Sequence, residues 1–225
     1  MIPSLQVTLG GAENPQQVAT TLQILGWLTL LALAPAALVM TTSFTRIVVV
    51  LSFVRNALAT GQTPPNQVLV GLALFLTLFT MAPVYDQVYR QAWVPYQAGQ
   101  ISQQAALQRA EAPLRAFMLR ETRQSDLELF VSMDSTGPKP KTPQEAPLRD
   151  LIPAFVISEL KSAFEMGFVL YLPFLVIDLV VASTLMSMGM FMLPPMLISL
   201  PFKILLFVLV DGWHLLAQSL IASYH

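Results

Sequence analysis

The chain has 225 residues, of which 55% are hydrophobic and 11% are charged, and this composition is too apolar for an ordinary soluble domain. A net charge of −1 excludes the basic surface that nucleic-acid binding requires, and the absence of cysteine excludes disulfides, thiol catalysis and zinc–thiolate sites. The sequence contains no motif for a nucleotide, a cofactor, a catalytic metal or a hydrolase nucleophile. We therefore expect a structural or transport protein in or against a membrane, not an enzyme.

The chain begins with a polar segment, 1–21, that is followed by an apolar one. Residues 1–20 lack the basic region and the apolar run of a signal peptide. Residues 22–40 form an uncharged stretch of 19 residues, which is the length that crosses a bilayer as a helix. Pro35 predicts a kink in this helix, because proline cannot donate a backbone hydrogen bond.

The next apolar segment carries two arginines and ends in a turn. Arg46 and Arg55 are nine residues apart, about two and a half helical turns, so their side chains lie on opposite sides of a helix. Gly61 and the pair Pro64-Pro65 predict a helix end, a turn and a new helix, with the glycine as the C-terminal cap. Residues 67–85 are a second uncharged stretch of 19 residues.

The composition changes sharply after this stretch. Residues 86–165 contain 19 of the 25 charged residues, so this part of the chain is expected to face water. Residues 102–130 have the apolar spacing of one or two amphipathic helices. Residues 132–147 are rich in proline and are predicted to form an irregular, mobile loop. The mixed charges are typical of solvated helix faces, not of a catalytic carboxylate pair.

The C-terminal part is apolar again but contains ionisable residues. Asp178 lies within an apolar run, so it should face protein, a partner charge or a wet cavity rather than lipid. Residues 197–223 are predicted as one final helix, with Lys203 and Asp211 roughly on one face. Charges inside apolar runs are costly unless they are paired. We therefore expect buried charges or charges at subunit contacts at Arg46, Arg55, Glu159, Lys161, Asp178, Lys203 and Asp211.

The most unusual stretch is 186–196, in which methionine occupies every second position from 186 to 192. Residues two apart point about 200° from one another in a helix, whereas in a loop they line one face, and Gly189, Pro194 and Pro195 interrupt a continuous helix. We therefore predict a loop with these three residues as its hinges. Three hypotheses remain open: copies of the loop form a deformable apolar ring in an oligomer, the side chains fill space beside lipid or core, or the thioethers bind copper(I). The alternating residues are Met186, Met188, Met190 and Met192.

These segments together predict an all-α fold of two long, kinked helical hairpins with a polar helical insert between them. Each hairpin consists of an apolar helix, a Gly/Pro-Pro turn and a second apolar helix. The predicted parts are the polar N-terminal segment 1–21, the first hairpin 22–85, the insert 86–150 and the second hairpin 151–225 with the Met-rich stretch.

Over nearly its whole length the chain resembles the FliP family, the core subunits of the flagellar type III protein export gate and their injectisome counterparts. Residues 120–130 and the form Leu193-Pro194-Pro195 are similar to the flagellar members in particular. The other matching motifs are MTTSFTR at 40–46, PPNQVLVGLALFLT at 64–77, FVISELKSAF at 155–164, PFLVIDLVVA at 173–182, MSMGM at 186–190, ISLPFK at 198–203 and VDGW at 210–213.

The resemblance implies a function and a set of partners. Family members assemble as a helically staggered pentamer with FliR and several FliQ subunits, with FlhB on the cytoplasmic side. The assembly forms the pore through which the export substrates, unfolded flagellar subunits, pass. On this basis Met186, Met188, Met190 and Met192 are expected to form a gasket around the closed channel.

The resemblance also implies a location. Family precursors carry a cleaved signal peptide, so the sequence is expected to be a mature chain restarted with Met1. The polar insert is expected on the periplasmic side of the bacterial inner membrane, within the flagellar basal body. The alternative function is a small membrane transporter for an ion such as copper(I), which would require metal at the Met-rich stretch.

Overall fold

A computed structural model describes residues 15–135 and 139–224 of the chain. Most of the predicted N-terminal segment, 1–14, and residues 136–138 of the predicted mobile loop lie outside the described residues. The described residues form ten α-helices and no β-strand, which confirms the predicted all-α class. The helices are α1 (Pro15–Thr41), α2 (Phe44–Ala57), α3 (Asn66–Thr80), α4 (Ala82–Val88), α5 (Val94–Gln97), α6 (Gln103–Glu121), α7 (Gln124–Met133), α8 (Leu148–Ser187), α9 (Pro195–Leu209) and α10 (Gly212–Ala222), with a π-helical turn at Tyr89–Trp93 and a 3₁₀ turn at Pro143–Glu145.

The chain divides into two units, Met1–Leu38 and Val39–His225. The described part of the first unit lies within α1, which is bent between Leu33 and Pro35. This bend lies at the predicted kink, where proline removes a backbone donor and its ring clashes with the preceding turn. The second unit contains α2 to α10.

The core of the second unit lies where α2 packs against the first half of α8. Ile47 and Leu51 on α2, and Leu151 and Phe155 on α8, are fully buried there. Each pair is spaced four residues apart, so its members lie on one face of their helix. Side chains from α3, α6, α7 and α10 complete this core.

The contact between α2 and α8 joins the two predicted hairpins. α2 contacts α3 across the first turn and α8 contacts α9 across the Met-rich stretch, but α2 makes its most extensive contact with α8. The segments assigned to two hairpins therefore share one core. The helices of the insert join it as well, because α6 and α7 both contact α8.

Two helix ends differ from the prediction. Gly61 is not the residue that caps α2, because the left-handed conformation directly after the helix belongs to Ala59 (φ 56°), and Gly61 follows with φ 69°. The predicted helix 197–223 is broken, since α9 and α10 meet at an angle of 64° and Asp211 between them has φ 51°. Gly212 makes this break compatible with the packing, because a Cβ there would lie 2.3 Å from the ring of Phe207.

One described helix, α8, is by itself long and apolar enough to cross a membrane. Three further candidates arise if each bent pair of helices is taken as one span: the two parts of α1, α3 with the segment Ala82–Gln97, and α9 with α10. The uncharged stretches 22–40 and 67–85 fall in the first two of these pairs.

Candidate functional site

The Met-rich stretch joins α8 to α9, and the loop within it is shorter than predicted. α8 continues through Ser187 and α9 begins at Pro195, so the loop consists of residues 188–194 and Met186 lies in the last turn of α8. The prediction of one loop over 186–196 is therefore wrong at both ends. Methionine is a good helix former, so Met186 continues α8. The helix stops only where the backbone leaves helical geometry.

Gly189 is the residue that ends α8. It has φ +76°, its amide donates to the carbonyl oxygen of Met186 at 3.0 Å, and the amide of Met190 donates to the carbonyl oxygen of Leu185 at 3.0 Å. This pair of hydrogen bonds is the Schellman motif, in which the residue after the helix is left-handed and is usually glycine. The structure thus provides a local reason for glycine at this position, and the hinge assignment of Gly189 remains a prediction.

The proline pair marks the beginning of α9. Pro194 precedes the helix with φ −68° and ψ 117°, and Pro195 is the first helical residue. Proline disfavours helical geometry in the residue before it and suits the first position of a helix. The loop is therefore defined at both ends by backbone chemistry that is visible in the sequence.

The four methionine side chains are largely uncovered by the described part of the chain. The exposed fractions are 58% for Met186, 68% for Met188, 40% for Met190 and 98% for Met192. Thioether side chains are flexible and apolar and have no obligatory hydrogen bond, so this loop presents a deformable apolar surface. Beside it, α8 and α9 form an open apolar groove of about 500 Å³ that includes Leu185, Ile198 and Phe202.

A second candidate site is a buried ion cluster around Arg46. The Arg46 guanidinium forms an ion pair with Glu159 and a second one with Glu121 at 3.0 Å. It also donates to the carbonyl oxygen of Ser223 at 3.1 Å. The side chains of Arg46 and Glu159 are 5% and 0% exposed, so α2, α6, α8 and the C-terminal residues meet at a desolvated charge pair.

Tyr224 closes this cluster from the C-terminal side. Its hydroxyl donates to Glu159 at 2.5 Å, and its ring lies 4.0 Å from the Arg46 guanidinium carbon, a cation–π arrangement. Burial, and then the negative charge of Glu159, raise the pKa of the Tyr224 phenol above its ordinary value. The phenol therefore stays protonated and remains a hydrogen-bond donor to the carboxylate.

Asp178 and Lys203 form a separate pair between α8 and α9. Lys203 Nζ donates to Asp178 Oδ2 at 2.6 Å and to the carbonyl oxygen of Ala57 at 3.1 Å. Ser199 Oγ donates to the other carboxylate oxygen of Asp178 at 2.5 Å. The Lys203 side chain is 1% exposed. The partner charge expected for Asp178 is therefore a buried lysine of the same chain.

The other predicted charges, Arg55, Lys161 and Asp211, are half-buried or exposed. Arg55 is half-buried and donates to the side chain of Asn66 and to the carbonyl oxygen of Pro64, so it ties the end of α2 to the start of α3. Lys161 and Asp211 are exposed on the single chain. A role for these two residues at subunit contacts remains a prediction.

Sequence reasoning did not identify three residues of these clusters. Glu121 lies within a run of charged residues, and Tyr224 follows the last helix, so neither has a spacing that distinguishes it. Ser199 could have been found, because it lies four residues before Lys203 and hence on the same face of α9. Among the described residues, no group of three His, Cys, Asp or Glu side chains is placed to hold a metal ion.

Comparison with known proteins gives a consistent assignment. The sequence model of the FliP family matches residues 27–220. The flagellar biosynthetic protein FliP of Bacillus subtilis is 52% identical over 97% of this chain and 98% of its own length. Proteins of the same name from Pectobacterium carotovorum and Aquifex aeolicus are 52% and 50% identical over 100% and 99% of the chain and 89% and 92% of their own lengths. A match of this extent places the chain among flagellar biosynthetic proteins rather than enzymes, and it belongs to the FliP family.

Proposed function

We propose that the chain is the core pore-forming subunit of the flagellar type III protein export gate. Several copies form a channel through which unfolded flagellar subunits leave the cell, and the Met-rich stretch acts as the closing gasket. Support comes from membership of the FliP family and from the name flagellar biosynthetic protein carried by its relatives.

The observation that carries this proposal is the exposed methionine loop at the end of α8. Met188 and Met192 are 68% and 98% exposed, although apolar side chains gain by leaving water. Copies of this loop that meet around an axis would cover one another. Because thioether side chains adapt their shape, such a ring could close on itself when idle and around varied unfolded chains during export.

The surfaces of the neighbouring helices support an assembly of several subunits. The second half of α8 and most of α9 expose large apolar side chains, including Phe168, Leu179, Phe202 and Leu209. Monomeric soluble proteins rarely expose contiguous apolar surface on this scale. In the proposed assembly these faces contact other copies in a pentamer together with FliR and FliQ, while FlhB lies on the cytoplasmic side.

We place the assembly in the bacterial inner membrane and the flagellar basal body, with the insert 86–150 on the periplasmic side. α8 has 40 residues, which corresponds to a length of about 60 Å. The hydrocarbon core of a bilayer is about 30 Å thick, so part of α8 extends beyond it. The charged residues of the insert are consistent with a water-facing position.

The gasket is tested by the ionic conductance of the inner membrane in cells with an idle gate. The double variant Met188→Ala/Met190→Ala shortens two exposed side chains of the loop and should raise this conductance several-fold, while export persists. Met133→Ala is the matched control, because Met133 is also exposed but belongs to α7. This control should conduct like the unmodified chain.

The same variants separate the proposal from copper transport. If Met188→Ala/Met190→Ala leaves the conductance unchanged, the gasket is refuted. If it also abolishes copper tolerance, the alternative of a copper(I) transporter replaces the export function. Metal analysis of the purified chain gives an independent reading of that alternative.

A further inference from the structure

We propose that Lys161 of one copy forms an ion pair with Asp211 of the next copy, so that the first half of α8 packs against the corner between α9 and α10 of its neighbour. The pair rests on the proposed function, because it requires an assembly of several copies. It adds to that function two side chains that join one copy to the next.

Asp211 has no side-chain partner among the described residues of its own chain. Every other acidic side chain of the described residues accepts a hydrogen bond or forms an ion pair. Asp211 directly precedes α10 but makes no side-chain cap hydrogen bond, although aspartate commonly caps a helix in this way. The residue is exposed, so its carboxylate is free to pair with another molecule.

Lys161 is in the same situation on α8. Among the lysine and arginine residues of α2, α8 and α9, it is the one side chain for which the described residues supply neither a hydrogen bond nor an ion pair. Lys161 is exposed, and its face of α8 bears further exposed side chains at spacings of three and four residues. These side chains are apolar: Ile157, Phe164, Phe168 and Leu172.

Both charges therefore lie within exposed apolar surface. Around Asp211, the side chains of Leu209, Val210 and Trp213 are 73%, 47% and 41% exposed. Apolar surface gains by leaving water, but a charge that is covered without a partner is costly. Lipid or a wholly apolar protein face would leave each charge unpaired. A second copy of the chain covers both surfaces and supplies each charge with the opposite one.

The two charges are too far apart to pair within one copy. Gly212, which follows Asp211, lines a cavity together with Val169 and Pro173 of α8. These two residues follow Lys161 by about 12 and 18 Å along the helix. Such a separation exceeds the combined reach of a lysine and an aspartate side chain, so the pair must form between copies.

A contact between two different surfaces also has the symmetry that a pore requires. The α8 surface of one copy would meet the α9–α10 corner of the next, which is a head-to-tail contact. Repetition of a head-to-tail contact produces a ring or a helical array, whereas a contact between identical surfaces produces a closed dimer. The proposed pair therefore links any number of copies around a channel.

The contact is tested by cross-linking in membranes that contain the complete assembly. The chain has no cysteine, so Lys161→Cys/Asp211→Cys introduces the only two thiols of each copy. A bismaleimide with a two-carbon linker should join this variant into a ladder of covalent multimers. Neither single variant should form a dimer, because each copy then offers only one side of the contact.

Arg109→Cys/Asp211→Cys is the matched control for the cross-linking. Arg109 is an exposed cation like Lys161 but belongs to α6, so this variant should remain monomeric on a denaturing gel. Equal cross-linking of both double variants would refute the pair. A product that links Lys161→Cys or Asp211→Cys only to a different protein would refute it as well.

Exchange of the two charges tests the ion pair itself. Lys161→Asp or Asp211→Lys alone places like charges at the contact and should lower the assembled fraction of the detergent-extracted chain about tenfold or more. The exchanged variant Lys161→Asp/Asp211→Lys restores opposite charges and should recover most of the assembly. Both residues are exposed on the single chain, so circular dichroism of all three variants should match that of the unmodified chain.

These outcomes distinguish the pair from the proposed function. If the chain assembles but the two thiols are not linked between copies, or if the exchanged variant assembles no better than the single variants, the pair is refuted while the pore stands. If the unmodified chain is monomeric in its membrane and after extraction, the pore of several copies and the pair are both refuted.

Discussion

At the scale of single residues, Arg46 links α2 to α6, to α8 and to the residues after α10. It pairs with Glu159 on α8 and with Glu121 on α6, and it donates to Ser223 after α10. Removing two charges from water costs several kcal/mol for each ion, so an intact buried pair contributes little net stability. Loss of one partner has a different result, because the remaining charge stays buried without compensation.

We predict that Arg46→Leu lowers the free energy of unfolding by about 3–5 kcal/mol, the range typical of a broken buried ion pair. Thermal unfolding of the detergent-solubilised chain measures this loss. The double variant Arg46→Leu/Glu159→Leu removes both charges of this pair and should be more stable than Arg46→Leu alone.

Arg90→Leu is the matched control, because Arg90 pairs with Asp86 at 2.9 Å but has a side chain that is 74% exposed. Exposed pairs are worth about 0–1 kcal/mol, so this variant should unfold close to the unmodified chain. Equal losses for Arg46→Leu and Arg90→Leu would contradict the structural role of the buried cluster.

At the scale of elements, the packing of α2 against α8 depends on Gly167, which belongs to no motif or turn signal in the sequence. A Cβ atom at Gly167 would lie 2.6 Å from Cγ and 3.0 Å from Cβ of Phe53. These atoms are close to the backbone of α2, so they cannot move away by a rotation of the outer ring alone. The absence of a side chain at Gly167 therefore sets the distance between the two helices at this point.

We predict that Gly167→Ala destabilises the chain by about 1–3 kcal/mol, the usual cost of overpacking a core contact, despite the better helix propensity of alanine. Gly71→Ala is the control, since Gly71 lies within α3 and a Cβ built there meets no other atom within 4 Å apart from those of its two neighbours and of the backbone of α3 itself. That variant should gain about 1 kcal/mol. Thermal unfolding of both variants gives the sign of each change, and a gain in stability for Gly167→Ala would disprove the close contact.

At the scale of the whole molecule, the second unit combines a water-facing insert with helices that expose apolar faces. The insert is tied to α8 by an ion pair between Arg123 and Glu165 at 2.7 Å and by a hydrogen bond from Ser158 to Asp126 at 2.6 Å. The position of the insert relative to the membrane therefore determines the position of α8, which leads to the methionine loop.

We predict that a thiol introduced by Gly137→Cys reacts with a membrane-impermeant maleimide from the periplasmic side. The charge content of the insert excludes burial in lipid, and the proposed location places it on that side. The chain contains no cysteine, so the unmodified chain provides a control without background labelling. Reaction only after the cytoplasmic side is opened to the reagent would reverse the proposed orientation.

The amino-acid sequence by itself determined the features that depend on neighbouring residues. The all-α class, the charged insert and the kink at Pro35 follow from composition and from the backbone chemistry of proline. The motifs also identified the FliP family, which the comparisons confirm. Local rules failed where two of them competed. At Met186 the alternation of methionines predicted a loop, but helix propensity extended α8 through this residue.

Only the tertiary structure decided which charges pair and which other residues form hydrogen bonds with these pairs. Arg46 and Glu159 are 113 positions apart, and Lys203 and Asp178 are 25 apart, so no local periodicity relates them. Ion pairing and packing are set by distances in space, and the sequence reports these distances only within a few helical turns.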